Sequence, residues 1–222
     1  MINEVIKGLI WLGQSGFVIN AEQKTVTIDP YQSKGYALSD IILITHPHGD
    51  HLSLEDIERC RKSKTVIITE AHSAKKLSGD VRIIKPGEEM TIEDIKIKAV
   101  VAYNINDDSP HQKKNDWLGF IIDIDGVSIY HSGDTDLIPE MDNFDVDIAL
   151  LPVSGTYVMN AEEAIKAVKR IKPKIAAVPM HYDPNLTRHW KIFPGVGTKE
   201  DALNGIDGIC QPVLLPCSPE GY

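Results

Sequence analysis

No stretch of this chain approaches the roughly 20 consecutive apolar residues that cross a bilayer as a helix, so it reads as a soluble protein. Cysteine is scarce as well. The three present, Cys60, Cys210 and Cys217, are odd in number and lack C-x-x-C spacing, which excludes a disulfide framework and a thiolate zinc site and favours free thiols in a reducing cytosol. Residues 1–16 lack a basic segment followed by an apolar run and a small-residue cleavage site, so export is not expected and the localisation read is cytoplasmic. Positive charge is in deficit: 23 Lys and Arg stand against 32 Asp and Glu, a net charge of -9. A broad nucleic-acid footprint needs clustered cations, so a small or locally bound substrate fits better. Low-complexity tracts and short-period repeats are absent, and 222 residues suit one sizeable core in a single domain spanning residues 1–222.

What the chain does have is Thr45-His46-Pro47-His48-Gly49-Asp50-His51, directly after the apolar run Ile41-Ile42-Leu43-Ile44. Three imidazoles and a carboxylate crowded at a strand end lose solvation unless something binds them, and neutral imidazole and carboxylate are standard metal ligands. His46 and His48 project the same way from an extended segment. Asp50 and His51 follow on a turn that Gly49 frees. Two pairs aimed in different directions suit two adjacent metals better than one.

Around this cluster the expected order begins with a meander of Leu9–Leu12, Gly16–Asn20 and Lys24–Ile28, closed by Asp29-Pro30. The strand Ile41–Ile44 delivers the histidines. Ser53 then reads as a helix N-cap with Asp56 at N3 and an apolar stripe of Leu54, Ile57 and Cys60. A strand at Thr65–Thr69, a short helix at Glu70–Leu77 and strands at Val81–Ile84 and Ile92–Tyr103 follow, and His72 reads as a surface histidine. Asn104–Trp117 is a polar loop long enough to cover a site. Strands Leu118–Ile124 and Val127–His131 turn at Asp125-Gly126, a strong hairpin signal. Next come strand Ile148–Val153, a helix capped by Asn160 and Glu163 with Ile165, Val168 and Ile171 inward, and strand Ile175–Met180. A short helix near Lys199–Asn204 and a strand at Pro212–Leu215 finish the chain. Strands followed by helices occur once in each half, which predicts two sheets face to face with helices outside.

Ligand-type residues recur at strand ends: His46 to His51, then Asp134, then His181. Where strand ends of a layered fold meet, residues distant in sequence converge. His131, just upstream, reads first as strand-end packing, with support of a ligand or proton transfer as the alternative.

The run from His46 to His51, with Tyr130-His131-Ser132-Gly133-Asp134-Thr135, Leu151-Pro152-Val153-Ser154-Gly155-Thr156-Tyr157 and Pro179-Met180-His181-Tyr182, resembles the metallo-β-lactamase superfamily over essentially the whole chain. Within it the chain is most similar to the small branch related to ascorbate-6-phosphate lactonase and N-acyl-phosphatidylethanolamine phospholipase D. The resemblance implies an α+β fold, an αββα four-layer sandwich with a one- or two-metal centre at one edge. It implies His46 and His48 on a first metal, Asp50, His51 and His181 on a second, and Asp134 bridging. Many relatives carry a third histidine where this chain has Ala102-Tyr103-Asn104, and His111 is the expected replacement, with Asn104 or water as the other option.

The implied activity is that of a hydrolase using a metal-activated water or hydroxide on a small ester, lactone or phosphodiester. Asp50 is the expected catalytic carboxylate, and Tyr157 and Tyr182 are candidate substrate contacts. The expected cofactors are two divalent ions, zinc first, with manganese, iron or nickel also compatible with the ligands. Lys113 and Lys114, and the segment Arg188–Lys191, could place positive charge at the mouth for an anionic substrate. A nuclease and a non-catalytic metal-binding protein stand as alternatives, and a homo-oligomer is compatible with the sequence.

Overall fold

The computed structural model describes residues 8–32, 37–182 and 211–212. Among these, one sheet has six strands in sequential order: β1 (Leu9–Gly13), β2 (Gly16–Asn20), β3 (Thr25–Ile28), β4 (Ser39–Ile44), β5 (Arg61–Thr69) and β6 (Asp80–Ile83). The second has seven: β7 (Glu89–Ile92), β8 (Ile95–Val101), β9 (Leu118–Ile124), β10 (Val127–His131), β11 (Ile148–Pro152), β12 (Ala176–Met180) and β13 (Gln211–Pro212). Each sheet starts antiparallel and continues parallel, switching at β3/β4 in one and at β10/β11 in the other. The expected repeat of strands then helices corresponds to this shared design.

Period-two alternation explains why β4 is apolar throughout. Ile41 and Leu43 enter the core between the sheets, whereas Ile42 and Ile44 face outward against Ile57 and Cys60 of α1 (Leu54–Cys60). β11 is built the same way, with Ile148 and Leu150 inward and Ala149 and Leu151 against Val168 and Ile171 of α3 (Ala161–Ile171). Helix, sheet, sheet, helix: the predicted αββα sandwich is what the residues build.

Both predicted caps are present. Ser53 accepts from the Asp56 amide at the start of α1, and Asn160 with Glu163 forms a complete capping box on α3. Four expectations are corrected. Leu54 points to solvent at 49% exposure, and α1 buries Asp56, Ile57 and Cys60 instead. The helix expected over 70–77 shrinks to α2 (Ala71–Ala74), capped by the Glu70 carboxylate, with His72 on the surface. The strand expected over 92–103 is a hairpin, because Glu93 adopts a left-handed φ of 54° and lets Ile92 pair with Ile95. Lys113, offered as positive charge for an anionic substrate, is paired with Glu140. The expected helix at 199–204 lies outside the described residues, as does the final strand beyond Pro212.

The two sheets are joined at the end where β4, β10 and β12 stop. Backbone amides of Leu118 and His181 donate across the sandwich to the Thr45 and Gln14 carbonyls, at 3.1 and 2.8 Å. The imidazole of His131 spans the same gap: its Nε2 lies 2.8 Å from the Ser15 carbonyl while Nδ1 accepts from the Gly133 amide. Since Nδ1 is the acceptor, Nε2 carries the proton, and burial keeps this ring's pKa below its usual value. His131 is thus buried between the sheets and fixes the turn that carries Asp134.

That turn tolerates little change. Gly133 has a φ of 60°, and a Cβ there would come within 2.3 Å of the Leu118 carbonyl oxygen. Gly133→Ala should cost about 2 kcal/mol or more, read as a lower thermal midpoint; an unchanged midpoint would show that the turn can relax.

Candidate metal centre

The β4 strand ends at Ile44, and the residues after Thr45 wrap into turns in which the His51 and Leu52 amides donate to the His48 carbonyl. This brings His46, His48 and His51 together. Asp134 arrives from the turn after β10, His181 from the end of β12 with φ 55°, and His111 from the loop between β8 and β9. Two groups of donor atoms form around Asp134. His46, His48 and His111 make one; Asp50, His51 and His181 make the other, and within each the ligand-type atoms all lie within 4.8 Å of one another. Asp134 reaches both, with Oδ1 3.3 Å from His51 Nε2 and Oδ2 3.3 Å from His111 Nε2 and 3.1 Å from His181 Nε2.

Hydrogen bonds on the far ring nitrogens set the tautomers. His51 Nδ1 donates to Asp29 Oδ2 at 2.7 Å. Thr45 Oγ1 also donates to Asp29, at 2.6 Å, and so must accept from His46 Nδ1 at 2.9 Å. His111 Nδ1 donates to Asn104 Oδ1 at 2.9 Å, and the Asn104 amide cannot be reversed because its Nδ2 donates to Asp136 and to the Tyr157 carbonyl. Asn104 thus holds His111 rather than standing in for it. In each of these rings Nε2 is left facing the cluster.

His51 Nε2, His111 Nε2 and Asp134 Oδ1 are buried and, among the described residues, make no hydrogen bond. A buried polar atom without a hydrogen bond costs about 1–3 kcal/mol, and here such atoms gather on both sides of Asp134. Tetrahedral ligands about 2.1 Å from a metal stand roughly 3.4 Å apart, close to the spacings seen here. The donor set therefore fits divalent metal.

The electrostatics agree. Burial, and next the neighbouring His51, holds His46 well below its usual pKa, and burial with His111 lowers His48. Both are neutral and able to ligate. At His51, burial alone would lower the pKa, yet Asp134 and Asp29 outweigh it and hold it well above the usual value. Two carboxylates thus favour a cation at this ring, and a metal on Nε2 serves that role as a proton would. Burial would raise the Asp134 pKa, but His181 and His51 outweigh it and keep the group well below the ordinary carboxylate range.

Several contributors carry no signal of their own in the sequence. Asp29, legible only as a strand terminator, buries its carboxylate against Thr45 and His51. Trp117 lies against three of the histidines, with ring centroids 4.8 Å from His46 and His48 and 5.4 Å from His111. Ser154 Oγ lies 2.9 Å from His181 Nδ1. Gln14, at the β1–β2 turn, reaches Asp50 and His181 with its carboxamide. Of the residues expected to meet substrate, Tyr157 is exposed on the rim, whereas Tyr182 is buried with its ring centroid 4.6 Å from that of Trp11. Lys113 is paired with Glu140 at 2.7 Å and lies over the Tyr103 ring, so it anchors the His111 loop; Arg188–Lys191 lies outside the described residues.

Removing the charge behind His51 should weaken the centre. Asp29→Asn is expected to reduce zinc affinity by about 10- to 100-fold, measured calorimetrically, and an unchanged affinity would remove Asp29 from the metal's support. Protons compete for the same lone pairs. The raised pKa of His51 sets the sign: affinity falls as pH drops through and below that value, so dialysis from about pH 8 to about pH 5 should release metal, and Trp117 fluorescence should follow the release. Retention at the acidic end would contradict this.

The sequence profile of the beta-lactamase superfamily domain matches residues 8–181. A UPF0173 metal-dependent hydrolase of Thermococcus kodakarensis is 36% identical over 78% of this chain and 83% of its own length. Among solved structures, a metal-dependent hydrolase of Parabacteroides distasonis is 31% identical, with a TM-score of 0.80 over 93% of this chain and 91% of its own. Igni18, a metallo hydrolase of Ignicoccus hospitalis, is 25% identical with a TM-score of 0.74, covering 93% of this chain and 94% of its own. The buried donor set and these relatives agree, and the chain belongs to the metallo-β-lactamase superfamily of metal-dependent hydrolases.

Proposed function

We propose that this hydrolase works with two divalent ions on a small ester, lactone or phosphodiester. The observation that carries the reading is that His51 Nε2, His111 Nε2 and Asp134 Oδ1, which make no hydrogen bond among the described residues, belong to two donor groups that meet at Asp134. In this reading His46, His48 and His111 hold the first ion and Asp50, His51 and His181 the second, with Asp134 shared. Zinc is the ion we assign; the same imidazole and carboxylate set accepts manganese, iron or nickel. When bound, such a pair lowers the pKa of water toward roughly 7 and polarises a substrate carbonyl or phosphoryl oxygen.

The protein's own part is orientation and proton handling. The carboxylates differ in their access to solvent. The Asp134 side chain is 3% exposed and the Asp50 side chain 33%, so Asp50 is the carboxylate placed to take a proton from attacking water and to pass it to the leaving group. Trp117 walls the cluster on the side of His46 and His48. Tyr157, exposed and with its carbonyl tied to Asn104, is the residue we assign to donate its phenol to substrate. Tyr182 is assigned to packing beside His181. Engagement of Lys113 with Glu140 weakens the case for an anionic substrate recruited by that loop. A net charge of -9 argues against nucleic acid, and cytoplasmic residence in a single domain remains our reading of the composition.

A panel of lactones, thioesters and phosphodiesters, assayed with zinc- or manganese-loaded protein, tests this. Turnover abolished by chelator is expected for at least one class, and Asp50→Asn should lower kcat by about 10²- to 10⁴-fold. His111→Ala should lose one metal per chain, and an undiminished metal content would overturn its assignment.

A further inference from the structure

The carboxamide of Gln14 lies inside the second donor group. Its Nε2 is 3.0 Å from Asp50 Oδ2 and 3.2 Å from His181 Nε2. The backbone cannot drift away: Gln14 has a left-handed φ of 48°, and its carbonyl accepts from the Trp11 indole at 3.0 Å and from the His181 amide at 2.8 Å. Facing a carboxylate, the amide must present nitrogen rather than oxygen, since the reverse would set two acceptors against each other. His181 Nε2 also lies 3.1 Å from Asp134 Oδ2, and Nδ1 is 2.9 Å from Ser154 Oγ; in the tautomer that can bind metal, Nδ1 donates to Ser154 and the Nε2 lone pair faces the Gln14 amide.

An imidazole nitrogen has a single lone pair in the ring plane. It can accept from Gln14 or bind a metal, but it cannot do both. Among the described residues, no amide donor from outside the first group reaches His46 Nε2, His48 Nδ1 or His111 Nε2. His46 Nε2 and His48 Nδ1 are 3.0 Å apart, and His48, half-buried, need only carry its proton on Nε2 to free both atoms.

We propose that Gln14 grades the two sites: its carboxamide competes with the second ion for Asp50 and His181, so that the His46–His48–His111 group loads first and the second group more weakly. The inference rests on the dinuclear reading above. It makes Gln14 a positioning residue that sets how much of the enzyme carries a complete centre at a given metal concentration, and so when it is active.

Stepwise calorimetric titration of chelator-stripped full-length protein with zinc tests it, comparing wild type with Gln14→Ala and Gln14→Asn. Asparagine tolerates the left-handed backbone and keeps an amide too short to reach. Far-ultraviolet circular dichroism verifies that each variant is folded. Both variants should bind the second ion about tenfold more tightly, with the first step within twofold of wild type. A second step unchanged in both variants would overturn the inference, and one that weakens would overturn it by making Gln14 a ligand in its own right. If wild type takes one ion and the variants two, the inference stands. If all three take only one, it falls together with the dinuclear reading; if all take two with equal second steps, it alone falls.

Discussion

The structure depends on keeping buried lone pairs pointed at one another. His51 Nε2, His111 Nε2 and Asp134 Oδ1 make no hydrogen bond among the described residues, and in a dry interior such atoms destabilise the fold unless a cation compensates them. Much of the surrounding architecture holds them in that arrangement. Asp29 and Thr45 fix His51 and His46, Asn104 fixes His111, Ser154 meets His181, and His131 fixes the turn that carries Asp134. Each bond engages the side of a ring, or of a turn, that faces away from the cluster. The sandwich supplies the rigidity, because three hydrogen bonds cross between the sheets at this edge through Leu118, His181 and His131.

Legibility from sequence followed the physics of each part. Elements with a strong local code were readable: the continuous apolar run of β4, the Asp125-Gly126 hairpin and the capping box at Asn160 each specify their structure within a few residues. So was the histidine cluster, whose density has no ordinary structural use. The β7–β8 hairpin was not readable, since Glu93-Asp94 carries no glycine to announce a left-handed turn. Nor were the residues that orient the ligands. Asp29, Asn104 and Ser154 are common loop residues, and they acquire a role only when strands far apart in sequence bring them behind an imidazole. A weak clue did exist: Asp29 ends a strand that pairs in parallel with β4, so its end comes beside Thr45.

The two halves of the centre are built differently, and the difference bears on how the proposed chemistry is controlled. One half is an all-imidazole group roofed by Trp117. The other mixes imidazole with the partly exposed Asp50 and touches the Gln14 carboxamide. The partly exposed carboxylate and the competing donor thus fall on one side, while the Trp117 wall falls on the other. Such a division suits an enzyme in which one ion is structural in its permanence and its neighbour is matched to turnover.

The most direct measurement is a crystal structure of the zinc-loaded protein with anomalous data collected at the zinc edge. The account predicts two peaks per chain, one bonded by His46, His48 and His111 and the other by Asp50, His51 and His181, with Asp134 reaching both. A map with no peak among these residues, or with an ion bound elsewhere while His111 Nε2 and Asp134 Oδ1 stay unligated, would contradict it.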